Sequence, residues 1–181
     1  DALTLALKAL GIKEGDEVIV PANTFIGTSE AVTLAGGSVV FADCDPDTQT
    51  ITPETVKKAL TAKTRAVMPV HLYGNPAPVS ELKELADARG MFLVEDAAQA
   101  HGAGYKGAAA GSIGDGGCFS FYMSKNLAGY GEGGMFTTND DQLATGVRML
   151  RDHGQRERGT FECIGYNSRL DELQAAIIRV K

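Results

Sequence analysis

Short apolar runs and helix-period segments take turns along this chain, and that alternation confines it to an α/β layer architecture. Residues 17–20 read as a strand closed by Pro21, 24–35 as a helix, and 38–41 as a strand entering the turn-rich Asp43-Cys44-Asp45-Pro46-Asp47. Thr52 caps a helix over 53–60 that carries Pro53 in its first turn. A strand at 65–70, a helix at 79–89 ended by Gly90 and a strand at 91–95 follow, then strands at 118–122 and 134–138 and a helix at 140–151. Such an order predicts a mostly parallel sheet flanked by helices. At the front, Asp1 is an N-cap or first-turn residue of an amphipathic helix that offers Leu3, Leu5, Ala6 and Leu10 to a core and stops at Gly11. At the back, Ser168 is expected to cap a helical pattern over 169–181 that still runs at the last residue, so the expectation is a chain truncated at both ends.

Composition narrows the function. The 181 residues, 44% hydrophobic and 22% charged, are enough for one substantial core, and a formal net charge of −6 argues against a non-specific nucleic-acid surface. Cys44, Cys118 and Cys163 are odd in number and widely spaced, which supports neither a disulfide framework nor a zinc site and points to a reducing, cytoplasmic setting. No stretch is long and apolar enough to span a bilayer, and no basic and apolar leader opens the chain. His71, His101 and His153 show no metal-ligand spacing, so no metal is assigned, and each is expected to be a hydrogen-bonding structural group.

In open parallel sheets ligands gather beyond the carboxyl ends of the strands. Here those positions hold residues 23–25, 71–74, 96–101, and Ser124 with Lys125. Lys125 is the one charged side chain between Asp115 and Glu132, set among glycines and apolar residues. A lysine in such surroundings loses hydration, and its neutral amine can attack a carbonyl to form a Schiff base; the alternative is a loop lysine that snorkels to water. Asp96 ends the run Met91-Phe-Leu-Val-Glu-Asp96 and so delivers a carboxylate to the ligand edge, or else a turn cap, while Glu95 points the opposite way. Residues 102–107 and 129–134 both match G-x-G-x-x-G, but neither lies between a strand and the start of a helix, so a dinucleotide site is not expected.

A Schiff-base lysine and a carboxylate for a pyridinium nitrogen are what pyridoxal phosphate demands of a protein. The segments Val94-Glu-Asp-Ala-Ala-Gln-Ala-His101, Phe119-Ser-Phe-Tyr-Met-Ser-Lys-Asn126, Gly131-Glu-Gly-Gly134 and residues 165–176, with Pro-Val-His-Leu-Tyr-Gly at 69–74, resemble the DegT/StrS-type aminotransferases in order along the whole chain. The resemblance implies the large domain of a fold-type I pyridoxal-phosphate transferase, held in part by residues 1–181, with a C-terminal small domain not present in this chain. It implies that Lys125 carries pyridoxal 5'-phosphate and later moves the substrate proton, and that Asp96 pairs with the ring nitrogen. Gln99 would meet the phenolic oxygen, and Phe25 would stack on the ring, although it also reads as core. Ser120, which also reads as an ordinary strand hydroxyl, and the helix start at Asp1 and Ala2 would hold the phosphate, with Asn167 reaching it from the neighbouring subunit. The Gly-Thr pair usual before the position of Asp1 is absent, and Met123 replaces a common proline. Tyr73 and His101 would line the sugar site.

The activity implied is amino transfer from an amino acid, glutamate in the first instance, to a nucleotide-linked keto sugar, with a 3-keto sugar suggested by residues 73–78 and 153–167. A homodimer is implied as well. Sugar dehydration or deoxygenation on the same scaffold is the enzymatic alternative, disfavoured by Lys125 because those relatives carry histidine there. A regulatory or binding remnant is the non-catalytic one.

Overall fold

A computed structural model describes residues 1–181. In chain order the elements are α1 (Ala2–Ala9), β1 (Glu17–Pro21), α2 (Ile26–Ala35), β2 (Ser38–Ala42), α3 (Pro53–Ala59), β3 (Thr64–Val67), α4 (Val79–Asp87) and β4 (Phe92–Asp96). A small hairpin of β5 (Gly104–Tyr105) and β6 (Ala108–Ala109) precedes β7 (Gly116–Ser120) and β8 (Gly134–Thr137). The chain continues through α5 (Asp141–Leu150), a second hairpin of β9 (Gln155–Glu157) and β10 (Thr160–Phe161), and α6 (Glu172–Val180). Six strands form one sheet in the order β2-β1-β3-β4-β7-β8, parallel throughout except for β8, which runs antiparallel to β7 at the edge.

The expected mixed α/β architecture is therefore present, with a core on each face of the sheet. On one face α1 and α2 bury Leu7, Val32 and Ala35 against Val18, Val20 and Val94; on the other α3 and α4 bury Val56 and Leu82 against Ile19, Val67 and Leu93. Adjacent residues of β1 feed opposite cores, as strand alternation requires. Thr52 makes the expected cap and completes a box with Thr55, each hydroxyl accepting the other's backbone N–H.

Several boundaries differ from the sequence expectation. The strand expected at 118–122 lies at Gly116–Ser120, because Gly116 and Gly117 pair with Val94 and Glu95 of β4. Glycine is needed there: a Cβ on Gly117 would stand 2.3 Å from the Gly111 carbonyl oxygen. The strand expected at 65–70 stops at Val67, with Val70 returning as a single bridge to Asp96 after Pro69. The helix expected from residue 24 begins at Ile26, with Phe25 still extended. Ser168 does not cap the last helix. Its hydroxyl donates to the Asp1 carboxylate instead, and α6 starts at Glu172 behind Asp171. In α1 the buried residues are Leu5, Ala6 and Leu7, with Leu3 and Leu10 partly buried against the same core. No helix is long and apolar enough to cross a membrane.

Candidate active site

Parallel pairing of β4 and β7 brings their carboxyl ends, Asp96 and Ser120, to the same edge of the sheet, and antiparallel β8 begins at that edge with Gly134 opposite Ser120. The N-terminus of α1 lies beside them. Together they border a cleft of about 510 Å³ whose lining includes Asp1, Ala2, Asp96, Ser120, Gly134 and Asn167. Asn167, assigned by the resemblance to a neighbouring subunit's phosphate, lines the cleft of its own chain.

Asp96 is 5% exposed. Its Oδ2 accepts the Thr28 hydroxyl at 2.8 Å and its Oδ1 the Ala98 N–H at 3.2 Å. Burial pushes the carboxyl above its ordinary range, against the pull of the Thr28 hydroxyl, the Ala98 N–H and the nearby Lys125. Glu95 faces the other way, as alternation predicts. Its carboxylate accepts the N–H groups of Gly111, Ile113 and Gly114 at 2.6–2.8 Å and lies 2.8 Å from Nε2 of His71. Nδ1 of His71 accepts the Ala77 N–H, which fixes the proton on Nε2 and makes it the donor to Glu95. Burial raises the Glu95 carboxyl, and His71 with the backbone donors more than offsets it, leaving Glu95 below its ordinary range. Two neighbouring carboxylates thus have separate tasks: Glu95 ties loops together, and Asp96 faces the cleft.

Lys125 lies in the loop after β7, half-buried, its backbone N–H held by Tyr122. Its charge is felt at both Asp96 and His101. His101 departs from the expectation of a hydrogen-bonding structural group. Its ring lies 5.5 Å from that of Phe119 and 5.8 Å from that of Phe121, and both ring nitrogens are buried without a hydrogen-bond partner. Burial keeps its imidazole below its ordinary value, assisted by the charge of Lys125. Unlike His101, His71 meets that expectation.

Phe25 is 70% exposed at the start of α2, which removes the core alternative for its ring. Tyr73 is also exposed, on a rim turn where it adopts φ +55°, rare for a residue with a side chain. Its N–H donates to Oε1 of Gln99 at 2.7 Å. The orientation of that amide follows: its oxygen is taken, and its NH2 group is left to donate. Neither glycine fingerprint forms a dinucleotide turn, since residues 102–107 lead into the β5–β6 hairpin and 129–134 into β8.

The resemblance implies pyridoxal phosphate, and the donor set fits it. A buried carboxylate lacking a full counter-charge suits a cationic ring nitrogen. A hydroxyl beside a helix N-terminus suits a phosphate, and the unpartnered His101 ring leaves polar capacity next to the lysine. The sequence reading missed Thr28. Thr24 precedes the first residue of α2, so the helix period does not pair its hydroxyl with that of Thr28, and the sequence carried no signal for the contact.

An acid and a hydroxyl at the carboxyl edge of a parallel sheet, a helix N-terminus against them and a lysine in the following loop define an α/β protein of the pyridoxal-phosphate transferase class. More particularly, the chain belongs to the DegT/DnrJ/EryC1/StrS aminotransferase family, whose profile matches residues 1–181. It is 50% identical over its full length to the dTDP-3-amino-3,4,6-trideoxy-alpha-D-glucose transaminase of Streptomyces venezuelae, covering 48% of that protein. Among solved structures it is similar to DesV of S. venezuelae in complex with a ketimine intermediate, with a TM-score of 0.96 and 51% identity over 99% of this chain and 48% of that one. NtdA of Bacillus subtilis with bound cofactor PMP has a TM-score of 0.91 and 34% identity over 98% of this chain and 40% of that one. The chain spans about half the length of the curated relatives it matches.

Proposed function

We propose that residues 1–181 are the cofactor-binding large domain of an aminotransferase that uses pyridoxal 5'-phosphate to move an amino group from an amino acid onto a nucleotide-linked keto sugar. The observation that carries this reading is the convergence of Asp96, Ser120 and the start of α1 on one cleft, with the charge of Lys125 felt at Asp96. When bound, pyridoxal phosphate supplies an electrophilic carbonyl and an electron-accepting ring.

Each residue then has a defined task. Lys125 would hold the cofactor through its amine and would move a proton to and from the substrate carbon. Asp96 holds the proton on the ring nitrogen. Ser120, with the free N–H groups at Asp1 and Ala2, receives the phosphate, and Asn167 is assigned to the phosphate of a neighbouring subunit in a homodimer. Gln99, fixed by Tyr73 as a donor, suits the phenolic oxygen, and the exposed Phe25 ring is available for stacking. Tyr73 and His101 belong on the sugar side. Glutamate is the donor proposed, and carbon 3 of the sugar the position, in keeping with the 3-amino sugar for which the S. venezuelae relative is named. A small domain outside residues 1–181 would close the site.

The test uses the protein at its full natural length. Incubation with pyridoxal phosphate, borohydride reduction and peptide mapping should place the cofactor on Lys125, and Lys125→Ala should lower amino transfer by about 10^4-fold or more. Folded protein that acquires no label at Lys125, or a Lys125→Ala variant that still transaminates, rejects the reading.

A further inference from the structure

Behind Asp96 lies a chain of hydroxyls that points in one direction. Thr28, 2% exposed on the first turn of α2, sits 2.8 Å from Asp96 Oδ2 and 2.8 Å from the hydroxyl of Thr24. A hydroxyl has one hydrogen to give. With Asp96 ionised, Thr28 must spend it on Oδ2, so the Thr24 hydroxyl is the donor to Thr28, and both hydrogens point toward the carboxylate. Only a carboxyl that donated from Oδ2 to Thr28 would reverse the chain, and the ionised form is the stronger acceptor.

We infer that Thr28, backed by Thr24, is a positioning residue: it holds Asp96 as an anion aimed into the cleft and so sets how firmly the protein grips a cationic ring nitrogen. The inference rests on the pairing of Asp96 with that nitrogen proposed above. The arrangement answers a local difficulty, because burial alone drives the Asp96 carboxyl toward its neutral form. A neutral Asp96 would leave a pyridinium without its counter-charge.

The other groups near Asp96 do not make the chain redundant. His71 is committed to Glu95 and Ala77, and Lys125 is the residue to which the cofactor is attached in the proposed reading. Cys118 is buried beside Asp96 with its thiol pushed well up by burial, and is therefore neutral. Glu95 occupies the opposite face of β4, while Asp1 and Glu132 on the cleft wall carry like charge. The Ala98 N–H, on Oδ1, is the one other hydrogen bond to the carboxylate.

Thr28→Val keeps the shape and deletes the hydroxyl, whereas Thr28→Ser keeps the hydroxyl. Two readouts in the full-length protein separate the possibilities. Carboxyl-labelled aspartate followed by carbon NMR, without cofactor, should show Asp96 titrating at higher pH in Thr28→Val than in wild type, with Thr28→Ser close to wild type. Pyridoxal phosphate affinity, read from visible absorption, should fall by about 10- to 100-fold in Thr28→Val, the range for a hydrogen bond to a charged group, and recover in Thr28→Ser. In an Asp96→Asn background, Thr28→Val should add little. Unchanged Asp96 titration in Thr28→Val, or equal losses of affinity in the Val and Ser variants, overturns the inference. Wild-type protein that takes up no pyridoxal phosphate would reject the proposed function, while the titration would still decide the role of Thr28.

Discussion

Asp96 and Glu95 are consecutive residues with opposite acid–base behaviour. A carboxyl raised by burial contributes to stability when protonated, and that contribution disappears as pH climbs through its folded-state pKa. A carboxyl held low by donors contributes when ionised, and loses that contribution as pH falls through its folded-state pKa. Without cofactor, Asp96→Asn should therefore gain thermal stability relative to wild type as pH rises from about 4 to 7, the window above the ordinary aspartate pKa. Thermal unfolding at several pH values checks the sign. A stability difference that stays constant across that window would mean that Asp96 is not strained by its own charge. At this scale the sequence was informative about which side chains stand out and poor about how they are held. Lys125 and Asp96 stood out by isolation and strand position, but Thr28 is an ordinary helix threonine until β4 is folded against it. The hydrogen bond that orients Gln99 likewise depends on a left-handed turn at Tyr73 that no residue type announced.

Among the elements, strand and helix types follow from periodicity, while several boundaries are decided by tertiary contacts. β7 was expected two residues late because glycines weigh against a strand, yet Gly117 is where the loop at Gly111 crosses β7 most closely. Gly117→Ala should cost about 1–3 kcal/mol, the usual penalty for overpacking, measured by denaturant unfolding. A cost near zero would mean that the loop moves aside freely. The same loop, residues 111–114, donates three N–H groups to Glu95, so β4, β7 and the turn carrying His71 are clamped by one buried carboxylate. Ser168 was expected to cap a helix because serine before a periodic segment normally does. The Asp1 carboxylate takes its hydroxyl instead, a partner that sequence distance conceals.

Over the whole molecule, burial is uneven. The central strands are packed on both faces, whereas α6 has no buried residue and exposes Leu173 and Val180. A side-chain tie reaches it from the Tyr130 N–H to Gln174 Oε1. In the 1–181 chain, amides of α6 should exchange with deuterium at least about tenfold faster than those of β1, β3 and β4, since local opening free energies follow packing. Equal protection would show that α6 is held by more than the contacts described. The Asp1–Ser168 contact joins residues 167 apart, and α1 also packs on α5 and β7. During synthesis, then, α1 cannot dock fully until residue 168 has been made. The end of the cleft at the start of α1 is consequently assembled later than the strands β1 to β7, and a chaperone that shields α1 until residue 168 has been made would protect an apolar helix face left waiting for its partners.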